Sequence, residues 1–189
     1  MSNISYNSRT DLLLKNLLEY YKNETNLNKM LKIITGESKI SLRIVDWFAT
    51  NFAKKYFTLY NVCNENGGVV KRFKVYNDYK LKLKAYSKSC FDPFCRWVRL
   101  SIPYKENSFI ETTIGQLNFF KWTIDNQMLE YIEEHFDEIE LDMNSRNSTS
   151  KKKEQTVDNK NTRKKRQELS ISASKSIKKE DVEIILSFN

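Results

Sequence analysis

The run at 41–55, SLRIVDWFATNFAKK, constrains the fold more than any other part of the chain. Ser41 is a natural N-cap, and the residues after it carry helical spacing. The polar positions Arg43, Asp46, Thr50 and Lys54 form one narrow stripe, and nearly everything else is apolar or aromatic. A helix with so little polar surface has to be covered on most of its circumference. Other elements must therefore wrap it, and the chain can supply them. It holds 11 Phe, 10 Tyr and 3 Trp within a hydrophobic fraction of 40%, which excludes wholesale disorder. Only 4 Gly and 2 Pro occur, too few for a turn-dense sandwich or barrel.

The flanking segments supply both helices and strands. Residues 10–22 read as a helix capped by Thr10, and 26–34 as a second, stopped by Gly36. Two β-rich runs flank Asn64-Glu65-Asn66-Gly67-Gly68, the pattern of a hairpin. Residues 78–88 fit either class. As a strand, Lys80, Lys82 and Lys84 share a face; as a helix, Lys80, Lys84 and Lys88 do. Asn77 and Asp78 as caps favour the helix. A strand is expected at 95–102, ending near Pro103, with another at 110–112. Thr112 or Thr113 then opens a helical stretch to about Met143. Its apolar stripe is Leu117, Phe120, Ile124, Met128, Ile132, Phe136, Ile139 and Met143, and Asp125-Asn126 marks a kink or a second start.

Together these elements predict an α+β fold: a helix-rich small domain with a short antiparallel sheet over 1–143. Helix 41–55 should pack on 113–143 around Val45, Phe48, Phe52, Leu117, Phe120 and Ile124. A basic, disordered linker is expected at 144–166. Residues 167–189 are expected to return to the body as a strand or hairpin, because Val182, Ile184, Leu186 and Phe188 alternate onto one face.

The net charge of +8 is unevenly placed. Residues 54–105 carry 12 basic and 3 acidic groups, 106–143 carry 1 and 10, and 144–189 carry 12 and 6. A basic middle and tail thus flank an acidic block. Either an anionic partner neutralises the basic parts, or the acidic helix docks on basic segments of its own chain or of a second copy. In the tail, Lys151, Lys152 and Lys153 precede Arg163, Lys164, Lys165 and Arg166. Two clusters at this spacing suit phosphate contact, nuclear import or a solubilising linker. In the middle, Lys71, Arg72, Lys74, Lys80, Lys84, Lys88, Arg96 and Arg99, interleaved with aromatics, fit a phosphate-tracking surface or a solvated face over the core.

Signals for catalysis are absent. There is no P-loop, GxGxxG or GxSxG, and the single histidine, His135, leaves little room for acid–base or triad schemes. Cys63, Cys90, Cys95 and His135 are better read as three small thiols and a lone ring than as a zinc site, since no second paired knuckle exists. The expectation is a non-enzyme with no cofactor and no small-molecule substrate. No apolar run approaches the ~18 residues of a membrane span, and MSNISYNSRTD lacks the pattern of a signal peptide, so an intracellular protein without a membrane partner is expected.

Four blocks, RIVDWFATNFAKK (43–55), YKLKLKAYSKSCFDPFCR (79–96), IETTIGQLNFFKWTIDN (110–126) and RKKRQELSISASKSI (163–177), resemble a family of small uncharacterised proteins of large nucleocytoplasmic DNA viruses. The resemblance covers about half of the chain and transfers no catalytic residue. It implies a host-cytoplasmic virus factory, with the nucleus as the alternative that the basic clusters raise. Charge and resemblance together point to low-specificity binding of DNA or RNA in viral DNA transactions. The alternative is a self-associating scaffold that contacts copies of itself or other viral proteins.

Overall fold

The computed structural model describes residues 8–64, 67–95, 98–105 and 108–154. In order, the elements are α1 (Ser8–Tyr20), α2 (Glu24–Ile34), α3 (Leu42–Trp47), a π-helical turn (Phe48–Phe52) and α4 (Ala53–Lys55). Then come β1 (Leu59–Cys63), β2 (Val69–Lys74), α5 (Val75–Tyr86), β3 (Arg99–Lys105), β4 (Ser108–Thr113), α6 (Ile114–Asp125), α7 (Met128–Glu134) and α8 (Phe136–Glu154). The fold is α+β. Its strands form two separate antiparallel pairs, β1–β2 and β3–β4, rather than one short sheet.

The core is organised around α6. Ten of its twelve residues are buried, including Leu117, Phe119, Phe120 and Trp122. Thr113 caps it, its hydroxyl accepting from the Gln116 N–H at 3.1 Å. α1 is fixed to it by the buried Tyr21 hydroxyl, which donates to the Leu117 carbonyl at 2.7 Å. The close approach of the 89–92 loop requires Gly115: a Cβ there would sit 2.8 Å from the Asp92 carbonyl oxygen and 3.0 Å from that of Ser89. The expected apolar stripe is therefore only part of what α6 buries. Gln116, Asn118 and Thr123 are buried too, because each is hydrogen-bonded: Gln116 accepts from Thr112, Asn118 donates to the Cys90 carbonyl, and Thr123 donates to the Phe119 carbonyl.

The aromatic segment 42–55 packs against α7 and α8, with Val45, Phe48 and Ala49 fully enclosed and the Phe48 ring 5.3 Å from that of Tyr131. Ser41 caps it as expected. Asp142 of α8 ties down its middle and its C-terminal end, accepting from Trp47 Nε1 at 3.0 Å and from Lys55 Nζ at 2.5 Å. Burial pushes the Asp142 carboxyl up, but hydrogen bonds from Lys55 and Trp47 and the charges of Lys55 and Arg146 outweigh it, so the group lies below the usual carboxylate range.

Several local expectations shift. α1 starts at Ser8, which places Thr10 inside the helix rather than at its cap. β3 begins at Arg99 and runs through Pro103 to Lys105; Pro103 is tolerated because a two-stranded pair has free edges, and a register shift follows it at once. The long C-terminal stretch is three helices. Gln127, at φ 52, breaks the first junction, and His135 ends α7 at the second. Asn126 closes α6, donating to the Trp122 carbonyl, instead of opening α7. α8 continues to Glu154, so residues 144–154 of the expected linker are helical. The rest of that linker and the expected strand at 182–188 lie outside the described residues.

Candidate nucleic-acid interface

A basic ridge is built where β2 runs directly into α5. The β1–β2 hairpin is closed by Asn64, whose side chain accepts from the Gly68 N–H at 2.7 Å, with Gly67 at φ +77 where a side chain would be strained. Along β2 only Phe73 points inward; Lys71, Arg72 and Lys74 are exposed. α5 is a helix, which settles the ambiguity at 78–88, but it opens at Val75 with Lys74 at its N-cap, three residues before the expected caps. Val75 and Tyr79 anchor it one turn apart, and Asp78 holds it to α6 by accepting from Trp122 Nε1 at 2.6 Å. With those three turned inward, Lys80 and Lys84 project from the opposite, exposed face.

Tyr76 sits at the centre of the ridge. The Lys80 ammonium lies 5.8 Å from its ring centroid, and that of Lys54, from α4, lies 5.7 Å away. Among the described residues, no carboxylate forms a salt bridge with Lys54, Lys71, Arg72, Lys74, Lys80 or Lys84. Sequence reasoning included all of these cations except Lys54. The outward direction of Lys54 was visible in the polar stripe of 41–55, but its meeting with Tyr76 depends on tertiary packing.

Two expected members behave differently. Lys88 lies past the end of α5, beyond Ser87 at φ 68, and its ammonium pairs with Asp92 at 3.6 Å. It does not extend the row of Lys80 and Lys84. Arg99 faces Glu111 across β3–β4 at 3.0 Å, so its charge is already opposed. Arg96 and the cluster Arg163, Lys164, Lys165 and Arg166 lie outside the described residues. Lys151, Lys152 and Lys153 fall in the last turns of α8.

The other sign of charge gathers elsewhere. Glu133, Glu134, Asp137 and Glu138 of α7 and α8 are exposed and line a groove of about 650 Å³ with Lys39 and Phe136. Among the described residues, no cluster of three or more His, Cys, Asp or Glu side chains is arranged to hold a metal. Cys63 ends β1, Cys90 lies beside Ser89, and His135 stacks on Tyr131 with ring centroids 4.2 Å apart. No helix among the described residues is long and apolar enough to cross a membrane.

Comparison with known proteins places the chain. Residues 3–189 match the Family of unknown function (DUF7197). The chain belongs to that family. It is also 45% identical over 131 residues to "Uncharacterized protein L507" of Acanthamoeba polyphaga mimivirus, an alignment covering 67% of this chain and 50% of that protein. The chain thus spans about half the length of this relative. The relative is a giant-virus protein, consistent with the viral family that the four sequence blocks resembled. No solved structure matches the chain.

Proposed function

We propose that this DUF7197 chain is a non-enzymatic protein that binds DNA or RNA with little sequence preference in viral DNA transactions, in or near a cytoplasmic virus factory. The observation that carries the reading is the β2–α5 ridge: six exposed cations without a described acidic partner, two of which, Lys54 and Lys80, lie over the aromatic ring of Tyr76. Such a ridge attracts a phosphate backbone and gains by releasing its condensed counterions. A half-exposed ring among cations adds a stacking position that any base can use. Arg163–166 places four more cations in adjacent positions, within about one Debye length (~8 Å) of one another. Five of the six cations are lysines, point charges that suit phosphates better than base edges, so affinity should be modest and strongly salt-dependent.

The test is binding of a labelled duplex and a labelled single strand over roughly 50–300 mM salt, the range in which counterion release is visible. The full chain is compared with a Lys80→Glu/Lys84→Glu variant and with one in which residues 163–166 are alanine. Each should bind more weakly and with a shallower salt slope. Undetectable binding of either ligand by the full chain at the lowest salt would sink the proposal.

The exposed acidic row of α7 and α8 favours a second reading, a scaffold in which one copy's acidic groove meets another's ridge. It predicts salt-sensitive assembly in the presence of nuclease, measurable as mass by light scattering.

A further inference from the structure

We propose that the C-terminal segment 182–188 of the same chain docks as an added strand on the free edge of β1, seating apolar side chains in the groove beside it. Three observations converge on this edge.

The first is the direction of the β1 backbone. The Thr58 carbonyl accepts from the Val75 N–H, and the Asn64 N–H donates to the Gly68 carbonyl, so even-numbered residues face the hairpin partner. Leu59, Asn61 and Cys63 therefore aim their N–H and C=O groups the other way. At Cys63 those groups are already met: its N–H donates to Gln127 Oε1 at 3.0 Å, and its carbonyl accepts from Gln127 Nε2 at 2.7 Å. One side-chain amide thus imitates a neighbouring strand at the far end of the edge, and Leu59 and Asn61, both exposed, continue it. An edge left open in this way is a template for strand addition.

The second is the apolar surface next to that edge. A groove of about 800 Å³ runs between the α4–β1 corner and α8, lined by Tyr56, Phe57, Leu59, Tyr131 and Leu141. Phe57 is 83% exposed and Leu141 72%. Phe57 also adopts φ 51, a left-handed conformation unfavourable for a bulky residue. A strained backbone that holds a phenylalanine out into solvent, beside a groove whose lining mixes these apolar side chains with Lys55, Glu138 and Asp142, points to contact as its use.

The third is what the chain has available to fill it. Val182, Ile184, Leu186 and Phe188 alternate, so a strand would offer them all on one face. Glu154, the last described residue, lies nine positions beyond Ser145 on the helix that forms one wall, about 13 Å along its axis. The 27 residues from 155 to 181 can reach roughly 90 Å, far more than the return requires. Tethering favours this segment over the same segment of a second copy, since a flexible link gives an effective concentration on the order of millimolar.

Amide hydrogen exchange on the full chain tests the idea without nucleic acid. Amides in 182–188, and those of Leu59 and Asn61, should exchange at least about tenfold slower in the native chain than in a Leu186→Lys variant. Leu141→Lys and Phe57→Gly, at exposed positions that leave the core intact, should release the same amides. Exchange of 182–188 at unstructured-chain rates in the native protein overturns the proposal. Protection that survives both groove substitutions overturns it as well, because the segment then docks elsewhere. Protection that disappears on dilution, with a doubled mass at high concentration, assigns the groove to a second copy and also overturns it.

Discussion

α5 and α6 have the same length, yet they meet water in opposite ways. α5 buries two of its twelve residues, Val75 and Tyr79, and presents Lys80 and Lys84 to solvent. α6 buries ten, and the side chain of its one lysine is turned to Asp125, one turn on, at 2.5 Å. The two helices touch through Asp78 and Trp122, and the Tyr79 ring lies 6.0 Å from that of Trp122. The contrast separates two kinds of constraint. Substitutions along α6 act on packing, where small changes of volume are felt. Substitutions on the outer face of α5 act on charge and leave the fold nearly untouched. That difference makes the ridge a place where function can be tested apart from stability.

The largest effect should come from the centre of α6. Phe120 is fully enclosed. Truncating it to Ala removes its buried surface and leaves a cavity, at a cost of roughly 3–5 kcal/mol. Thermal unfolding should show the midpoint falling by about 10 °C. An unchanged midpoint would break the comparison at its root, because α6 would then not be the hub.

A change in the opposite direction, adding volume, should cost less. In Gly115→Ala the new methyl meets the Asp92 and Ser89 carbonyl oxygens, which are backbone atoms and cannot swing away. The penalty expected for such overpacking is roughly 1–3 kcal/mol, read from the denaturant midpoint. A stability gain, as a generic Gly→Ala substitution in a helix would give, would show that the 89–92 loop is free to move back.

Why α6 was only half legible in the sequence follows from its polar residues. Gln116, Asn118 and Thr123 interrupt the apolar pattern, so periodicity alone marks a stripe where the structure has an almost fully buried helix. Their partners differ in how far they lie along the chain. Thr123 bonds one turn back, but Asn118 reaches Cys90, 28 residues away, and no local rule reveals that. The caps at Ser41 and Thr113 and the Asn64–Gly68 hairpin were legible because each is closed by neighbouring residues. The ridge divides in the same way. The exposed face of Lys80 and Lys84 follows from helical spacing once the segment is helical. Lys88 was misplaced because helix α5 ends at Tyr86, and Arg99 because Glu111 faces it only after β3 and β4 pair. Lys54 and Tyr76 come together across 22 positions, which is why the centre of the ridge was not among the expected site residues.

The smallest stability effect should come from the outer face of α5. Lys80→Ala and Lys84→Ala together remove two charges from positions that are exposed and, among the described residues, not ion-paired. Ala is also the best helix former, so lost side-chain contact is offset by backbone preference. The unfolding free energy should stay within about 1 kcal/mol of the parent. Lys80 contributes one further contact, its approach to the Tyr76 ring, and an exposed pair of that kind contributes roughly 0.5–1 kcal/mol at most. The double variant can therefore be read in one titration and one melt. Unchanged stability with a shallower salt dependence of nucleic-acid binding sharpens the comparison between the helices. A loss of several kcal/mol would mean that these lysines hold the fold together, and weaker binding by such a variant would then report unfolding rather than lost phosphate contacts.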